Sequence, residues 1–368
     1  MRELSWQEVD DILVGATVLG CGGGGELAEG REELRRVYDA GRAVTLAAPD
    51  DLADDAVVCT PYGVGGLVAG DWAEYEGLER AAEHPGALAV RALAKHLGAE
   101  IGALLTGELG GTSIADAFVP AALLGLPVVD ADPVGRAVPE LEQSLFFVHG
   151  LPIAPQALVN EVGDTLVVTR VASDGRAEAL VRALAVASRN LVWVADHALP
   201  WGRVRDAVIP GAVVWAERVG GALRETRAAG GDVPAAVAAA AGGVVRFRGR
   251  VTAAPWEERD GFTWGQTELA GEGADVGSAY RVWFKNENLL AWRDGAPDVT
   301  CPDLVCCLRA EDGEPVTNPQ HALGTPVTVI GVPAAPAWET ERGLSVLGPR
   351  HFGFDLDHVP LRGRLASA

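Results

Sequence analysis

The chain of 368 residues carries 30 basic and 51 acidic side chains, for a formal net charge of −21. This balance excludes nucleic acid and anionic membranes as main partners, because a polyanion is bound by positive charge that neutralises it. With 48% hydrophobic and 22% charged residues the chain has ample apolar material for a core, which excludes disordered and fibrous proteins.

Neither a secretion signal nor a membrane span is predicted. The first residues, Met1–Trp6, lack a basic stretch followed by an apolar one. The longest near-apolar stretches, Ala117–Val129 and Val233–Val245, are too short to cross a bilayer and contain Pro or Gly. The five cysteines follow neither a disulfide framework nor the paired spacing of a zinc site. We therefore expect a cytoplasmic protein with reduced thiols.

Strands and helices alternate over the first part of the chain. Ser5 and Glu8 form a capping-box pattern that opens a helix at about residues 6–19. Further helices are predicted over residues 27–38, 87–97 and 114–124, and short strands over residues 43–47, 56–60, 101–105 and 127–129. This alternation predicts a layered α/β domain with mainly parallel strands, which we assign to residues 1–160.

The pattern changes beyond about residue 160. Strand-like runs are predicted over residues 165–171, 244–251, 279–285, 303–308 and 326–332. They are separated by turn sequences such as Asp174-Gly175 and Asp312-Gly313. A helix-prone stretch rich in Ala, Val and Arg interrupts them at residues 196–241. We therefore predict that residues 161–368 form a β-rich, mainly antiparallel domain with a helical insertion.

Four consecutive glycines, Gly22, Gly23, Gly24 and Gly25, follow Cys21 between the first two predicted helices. Their bare backbone N–H groups suit a phosphate, carboxylate or oxyanion. Since four glycines cost more folding entropy than a simple turn requires, we expect this loop to contact the substrate. Cys21 lies near a helix N-terminus, where a thiolate is stabilised, and is a candidate nucleophile. The alternative, a small buried core residue, stays open.

Glu108 follows the predicted strand at residues 101–105 and precedes a helix. Ligands of open α/β sheets bind at such carboxyl ends of strands. We therefore take Glu108 as a candidate base or hydrogen-bond acceptor, with a solvated loop carboxylate as the alternative.

Asp130 and Asp132 end the apolar run at residues 127–129, and an extended chain would point both to the same side. Two adjacent carboxylates require a cation, a shared proton or a partner such as Arg136. The cluster, which continues to Glu140, suits general acid/base work or a divalent metal. The structural alternatives are that Asp130 caps a turn and that Arg136 pairs with Glu140.

His149 and His197 are the candidate histidine ligands of a metal, because each follows an apolar strand-like run, at residues 145–148 and 191–195. Together with Asp130 and Asp132 they form the candidate set for a divalent ion such as zinc. The alternative is that each histidine is a satisfied polar group.

Asn286 and Asn288 lie at the end of a predicted strand. Their amide groups suit hydrogen bonds to a polar ring of the substrate. The alternative is that they satisfy the backbone of a turn.

Six motifs occur in chain order. They are LGCGGGG at residues 19–25, ELGG at 108–111, LPVVDADPVGRAVPEL at 126–141, FKNENL at 284–289, PDL at 302–304 and GPR at 348–350. Together they resemble the DUF917 family, whose characterised type is S-methyl thiohydantoin desulfurase and whose members are found alongside hydantoinase/oxoprolinase subunits. The resemblance implies an N-terminal α/β domain, a C-terminal β-rich domain, and hydrolysis of a five-membered cyclic imide or its S-methylated thio analogue.

We therefore predict a hydrolase that acts on a hydantoin or an S-methyl thiohydantoin in a cleft between the glycine loop and residues 130–140. The attacking group is the Cys21 thiolate, or water activated by Asp132 or Glu108. The loop N–H groups stabilise the developing negative charge, and Arg136 orients a carboxylate. Two alternatives stay open: a non-catalytic ligand- or nucleotide-binding subunit that partners a hydantoinase/oxoprolinase, and a metal-dependent amidohydrolase. We also expect a homo-oligomer.

Overall fold

The computed structural model describes residues 1–65 and 75–367. The helices in these ranges are α1 (Trp6–Leu19), α2 (Leu27–Asp39), α3 (Pro85–Leu97), α4 (Gly111–Leu124), α5 (Leu145–Val148), α6 (Asp174–Val186), α7 (Trp201–Val204), α8 (Ala212–Ala228), α9 (Val233–Ala241) and α10 (Glu341–Leu347). The strands of the first sheet and of its short satellite pair are β1 (Arg2–Glu3), β2 (Thr45–Ala47), β3 (Val57–Gly65), β4 (Ala103–Leu104), β5 (Val128–Val129), β6 (Ala131–Asp132), β7 (Gln156–Val159), β8 (Thr165–Val168), β9 (Leu191–Pro200) and β10 (Ile209–Pro210).

The second sheet contains the remaining strands. They are β11 (Val244–Ala253), β12 (Trp256–Arg259), β13 (Phe262–Gly271), β14 (Ala279–Lys285), β15 (Glu287–Arg293), β16 (Ala296–Thr300), β17 (Leu304–Arg309) and β18 (Pro326–Val332).

The first sheet is mixed, with the strand order β1-β2-β5-β4-β3-β9-β7-β8. Its inner strands β2, β5, β4 and β3 pair in parallel, and the strands outside them pair antiparallel. The predicted α/β class is confirmed, with parallel pairing confined to these four strands. Because parallel strands end at the same edge, the loops after β4 and β5 lie side by side.

The second sheet is antiparallel, with the order β16-β15-β14-β13-β11-β18-β17 and β12 paired to β13. One face covers a core that includes Phe247, Tyr280 and Val282. This sheet confirms the predicted β-rich C-terminal part. The hairpin between β14 and β15 reaches toward the glycine loop of the first layer.

The two halves of the chain interlock. Strand β9 pairs with β3 along most of its length, and α8 packs on α1. The two helices touch backbone to backbone: a Cβ atom at Gly15 would lie 1.8 Å from the Ala216 carbonyl oxygen, and one at Gly220 would lie 1.9 Å from the Asp11 carbonyl oxygen. Strands β8 and β9 and helix α8, all from beyond residue 160, thus complete the first sheet and the helices packed on it.

Three local predictions were wrong. The run Leu145–Val148 is a helix rather than a strand, because the Ser144 hydroxyl caps it by accepting a hydrogen bond from the Phe147 N–H. Asp174-Gly175 opens a helix rather than a turn, since the Ser173 hydroxyl caps α6. Residues 196–200, predicted to be helical, belong to β9, where pairing with β3 outweighs local preference.

Within the described ranges, no helix combines the length and the apolar character that crossing a bilayer requires.

Candidate active site

The glycine loop between α1 and α2 joins the two halves of the molecule. The Asn288 N–H donates to the Cys21 carbonyl oxygen at 2.7 Å, and the Asn318 N–H donates to the Gly22 carbonyl oxygen at 2.8 Å. On the opposite side, the Gly24 carbonyl oxygen accepts from the backbone N–H groups that open α4. The loop is therefore held between α4 and the β14–β15 hairpin.

Close approach explains why this loop has no side chains. A Cβ atom at Gly23 would lie 1.9 Å from a carboxyl oxygen of Glu287, and one at Gly24 would lie 2.6 Å from the Cα atom of Gly110. Gly24 and Gly25 also have positive φ angles, of 73° and 78°, which glycine adopts without strain. Their N–H groups have no acceptor among residues 1–65 and 75–367, so they are available to a ligand.

Glu108 lies on the loop between β4 and α4, as predicted from its position after a strand. Its Oε1 accepts from the Ser113 hydroxyl at 2.9 Å, and its Oε2 accepts from the Val138 N–H at 2.9 Å. Burial raises the pKa of Glu108 to about 7, with a further contribution from the negative charge of Asp132. A carboxyl group with this pKa is half ionised near neutral pH and suits proton transfer.

Glu287 opens β15 and packs against Gly23, with only 3% of its surface exposed. Burial raises its pKa well above the ordinary value, and the charge of Glu108 raises it further. Its Oε2 has no hydrogen-bond partner in the described part of the chain. Burial therefore favours the protonated form of Glu287, beside the ionisable Glu108.

Sequence reasoning singled out Asn286 and Asn288 and missed Glu287 between them. The Asn286 Oδ1 accepts from the Thr263 N–H at 2.8 Å, and Asn288 is fully buried, with its Nδ2 donating to the Val305 carbonyl oxygen at 3.1 Å. Both amides hold the hairpin in place. The signal for Glu287 was an acidic residue at the start of a strand that continues with Leu289-Leu290-Ala291-Trp292.

Arg136 links the two sheets from a position that is 99% buried. Its guanidinium donates to the backbone carbonyl oxygens of Asn288 at 2.7 Å, and of Pro302 and Asp303 at 3.2 Å each. These bonds go to backbone oxygens rather than to carboxylates. Its positive charge lowers the pKa of Glu108 and so favours the ionised base.

Cys21 is fully buried, and its thiol faces β17. The Sγ donates to the Leu19 carbonyl oxygen at 3.2 Å and lies 3.9 Å from the Sγ of Cys306. Burial raises the pKa of the Cys21 thiol, but the contact with Cys306 and the charge of Arg136 outweigh this effect, so the pKa is lowered overall. The structure places this thiol inside the core beneath the loop.

Asp130 and Asp132 face different partners. The Asp130 Oδ1 accepts from the N–H groups of Val213 at 2.9 Å and Val214 at 3.0 Å, and so caps α8. The Asp132 Oδ2 accepts from the Thr106 hydroxyl at 3.0 Å, and burial raises the pKa of Asp132 to about 6. Asp132 therefore lies on the Glu108 side, while Asp130 stabilises a helix.

Glu140 pairs with two cations. It contacts the Lys285 ammonium through one oxygen and the His351 Nε2 through the other, at 2.7 Å. Although burial raises the pKa of Glu140, these two partners outweigh it and lower the pKa to about 2. Glu140, Glu142 and His351 form the one three-residue group of metal-type ligands among the described residues. Lys285 already neutralises the Glu140 carboxylate of this group.

The two candidate histidines have different surroundings. His149 is exposed at the end of α5. His197 is buried, its Nδ1 lies 2.7 Å from an oxygen of Asp196, and its ring stacks on Phe146 with a centroid distance of 4.3 Å. Within the described ranges, neither histidine forms a three-ligand group with Asp130 and Asp132. Zinc binding stays a prediction.

The structure thus brings together the glycine loop, Glu108, Glu287 and the backbone of Val138. Two carboxyl groups whose pKa values are raised by burial lie beside the loop, whose Gly24 and Gly25 N–H groups have no acceptor among the described residues. This arrangement can accept a proton, donate a proton and stabilise negative charge.

A solved structure of a protein from Chromobacterium violaceum is similar to this chain, with a TM-score of 0.79, 22% sequence identity, and coverage of 98% of this chain and 100% of the other. At this identity the likeness shows the fold alone. No curated protein matches the chain. Residues 7–170 match the family described as S-Me-THD-like, N-terminal domain, and residues 172–361 match S-Me-THD-like, C-terminal domain. The chain belongs to the S-methyl thiohydantoin desulfurase-like family, also known as DUF917.

Proposed function

We propose that this protein is an enzyme that hydrolyses the carbon–sulfur bond of an S-methylated thiohydantoin and releases methanethiol. Membership of the S-Me-THD-like family suggests an enzyme and supports this type of substrate. The observation that carries the proposal is the pair formed by Glu108, with a pKa of about 7, and Glu287, whose pKa burial raises well above its ordinary value, next to the glycine loop.

The two carboxyl groups divide the proton transfers between them. Ionised Glu108 takes a proton from water as the water oxygen bonds to the ring carbon that carries sulfur. The carbon–sulfur bond then breaks, and the leaving methanethiolate takes the proton of Glu287. The second proton of the water ends on the ring nitrogen, and a carbonyl replaces the thioether. Solvent returns the proton from Glu108 to Glu287, which restores the starting state.

The glycine loop supplies hydrogen bonds to the anionic stage of the reaction. Attack on the ring places negative charge on atoms next to the reacting carbon. The N–H groups of Gly24 and Gly25 have no acceptor in the described part of the chain and suit this charge. Since these donors belong to the backbone, they keep their positions without side-chain reorganisation.

A direct test is methanethiol release from an S-methyl thiohydantoin. We expect Glu108→Gln to lower kcat/KM by about 10²–10⁴-fold, because the base is removed while the hydrogen bonds to Ser113 and Val138 are largely kept. In the wild type, kcat/KM should rise with pH through about 7 as Glu108 ionises, and this rise should be absent in the variant.

The matched control is Glu83→Gln, which changes a surface carboxylate paired with Arg91 and should leave kcat/KM unchanged. Turnover by Glu108→Gln at the wild-type rate contradicts the assignment of the base. If the isolated wild type shows no turnover on hydantoins or thiohydantoins, the non-catalytic subunit becomes the better interpretation.

A further inference from the structure

A cavity of about 390 Å³ lies between the start of α2 and the segment that connects β17 to β18. It is lined by Glu26, which follows the last glycine, and by Arg31, Arg309 and Glu314, with His321 on its wall. The volume is within the range of small-molecule sites. Nothing in the proposed reaction uses this cavity.

His321 is the most unusual group on the wall. It is 93% buried, yet neither of its ring nitrogens has a hydrogen-bond partner among the described residues. Burial lowers the pKa of His321 to about 4, so the ring is neutral at physiological pH. A neutral imidazole offers one donor and one acceptor, and a buried polar group of this kind normally has a partner. A ligand in the cavity would supply it.

Neighbouring residues hold the wall in place. The Thr317 hydroxyl and the Gln320 amide both donate to the same carboxyl oxygen of Glu26, each at 2.9 Å. Glu26 precedes α2 without capping it through its side chain, so the first N–H groups of this 13-residue helix, at Leu27 and Ala28, lack a side-chain acceptor at the cavity.

Side chains of both positive and negative charge line the cavity. Arg31 and Arg309 bind Asp10 and Asp312 through Nε and Nη2, and the Nη1 atoms of both arginines are without a partner in the described ranges. They can bind a carboxylate, with help from the N-terminus of α2. Glu26 provides negative charge for an ammonium group, as does Glu314, whose carboxylate also pairs with Arg227 at 2.9 Å.

We propose that this cavity is a second ligand site, which binds a free α-amino acid through its carboxylate, its ammonium group and a hydrogen bond to His321. The site is separate from the carboxyl pair, since neither Glu108 nor Glu287 lines the cavity. The inference is independent of the proposed reaction.

The test is ligand-detected NMR by saturation transfer, with the full-length protein and each of the twenty common L-amino acids. Titration calorimetry then measures the affinity of those that bind. His321→Leu keeps the volume of the side chain and removes both nitrogens, and Arg309→Gln removes a cation at the exposed side. Arg350→Gln is the matched control, because Arg350 pairs with exposed aspartates, as Arg309 does, but lies outside the cavity.

We expect at least one amino acid to bind the wild type and the control equally, and to bind His321→Leu and Arg309→Gln at least tenfold more weakly. The same molecule without its amino group should also bind at least tenfold more weakly. The thermal midpoint of His321→Leu should not fall, because the change removes unpartnered polar atoms from the interior.

Three results overturn the proposal. They are the absence of saturation transfer for every amino acid, undiminished affinity in both variants, and equal affinity for the deaminated analogue. Since Arg309 is half exposed, its variant keeps the test informative even if His321→Leu folds poorly.

Discussion

At the scale of single residues, burial affects the two carboxyl groups of the site to different extents. Glu108 keeps two hydrogen bonds that stabilise its charged form, so its pKa rises only to about 7. Glu287 has an oxygen without a partner in the described part of the chain, and burial raises its pKa well above the ordinary value. The surroundings therefore favour the charged form of Glu108 more than that of Glu287, which suits the first group to accept a proton and the second to donate one.

The role of Cys21 is open to a substitution test. We expect Cys21→Ala to keep kcat within about threefold of the wild type, because the buried thiol faces Cys306 rather than the open side of the loop. The free energy of unfolding should fall by about 1 kcal/mol, as for an ordinary core truncation. Steady-state kinetics and urea unfolding provide the two values. A loss of kcat by 10³-fold or more with an intact fold would restore the nucleophile hypothesis.

Asp130 provides a second residue-level prediction. Asp130→Ala should lower the free energy of unfolding by about 0.5–2 kcal/mol, because it removes the cap of α8. We expect KM to stay constant, and chemical denaturation together with KM determination checks both statements. An increase in KM without loss of stability would favour the substrate contact predicted from the sequence.

The sequence indicates some of these residues and not others. Glu108 follows a strand and precedes a glycine turn, so its position on the loop is predictable. The partners of Asp130 are not, because its cap is made to residues more than eighty positions further along the chain. For the same reason the sequence does not predict the buried environment of Glu287, which is formed in part by Gly23 on a distant loop.

At the scale of elements, the contact between α1 and α8 depends on the absence of side chains. We expect Gly220→Ala to lower the free energy of unfolding by about 2–4 kcal/mol, because its Cβ atom would lie 1.9 Å from the Asp11 carbonyl oxygen and force the helices apart.

Gly221→Ala is the matched control, one position further along the same helix. Its nearest atom would be 3.7 Å away, and alanine is the better helix former, so stability should rise by up to about 1 kcal/mol. Thermal unfolding of both variants tests the prediction. Equal effects at the two positions would show that backbone contact does not govern this interface.

Most of the longer elements follow from their own sequence. The predicted helices at α1 and α2 and the strands β14 and β18 are confirmed, because periodicity and turn residues define them locally. Two of the errors come from serine caps at Ser144 and Ser173 that were not recognised, and the third falls on a segment that tertiary contacts determine. Residues 196–200 are a strand because β3 offers an edge, which no local pattern reveals.

At the scale of the whole molecule, several buried acids make stability depend on pH. Burial raises the pKa of Glu33, Glu108 and Asp116 to about 7 and that of Asp132 to about 6. Between about pH 4 and 7 the unfolded chain releases these protons while the folded chain keeps them, so folding becomes less favourable as pH rises. Two kinds of group act in the opposite direction. Glu140, with a pKa of about 2, loses its stabilising contribution as pH falls below about 4. His84 and His321, whose pKa burial lowers to about 4 from 6.5, make folding less favourable as pH falls below about 6.5, although they are fewer than the buried acids.

We therefore expect the free energy of unfolding to be at least about 2 kcal/mol larger at pH 5 than at pH 8, because each pKa unit corresponds to about 1.4 kcal/mol. Guanidinium titrations at the two pH values measure the difference. Asp116→Asn should reduce it, since one of the titrating groups is removed. A protein that is more stable at pH 8 than at pH 5 contradicts the argument.

The pairing of β9 with β3 and the packing of α8 on α1 affect the order of events during synthesis. When residues 1–65 have left the ribosome, β3 still lacks its antiparallel neighbour β9, and α1 still lacks α8, which packs on it. These two elements are complete only when the chain has been made up to residue 228. More than half of the protein must therefore emerge before the first sheet and the helix α1 have all their packing partners. A fragment that ends near residue 160 would expose an unpaired strand edge and the bare face of a helix, and would aggregate rather than fold alone.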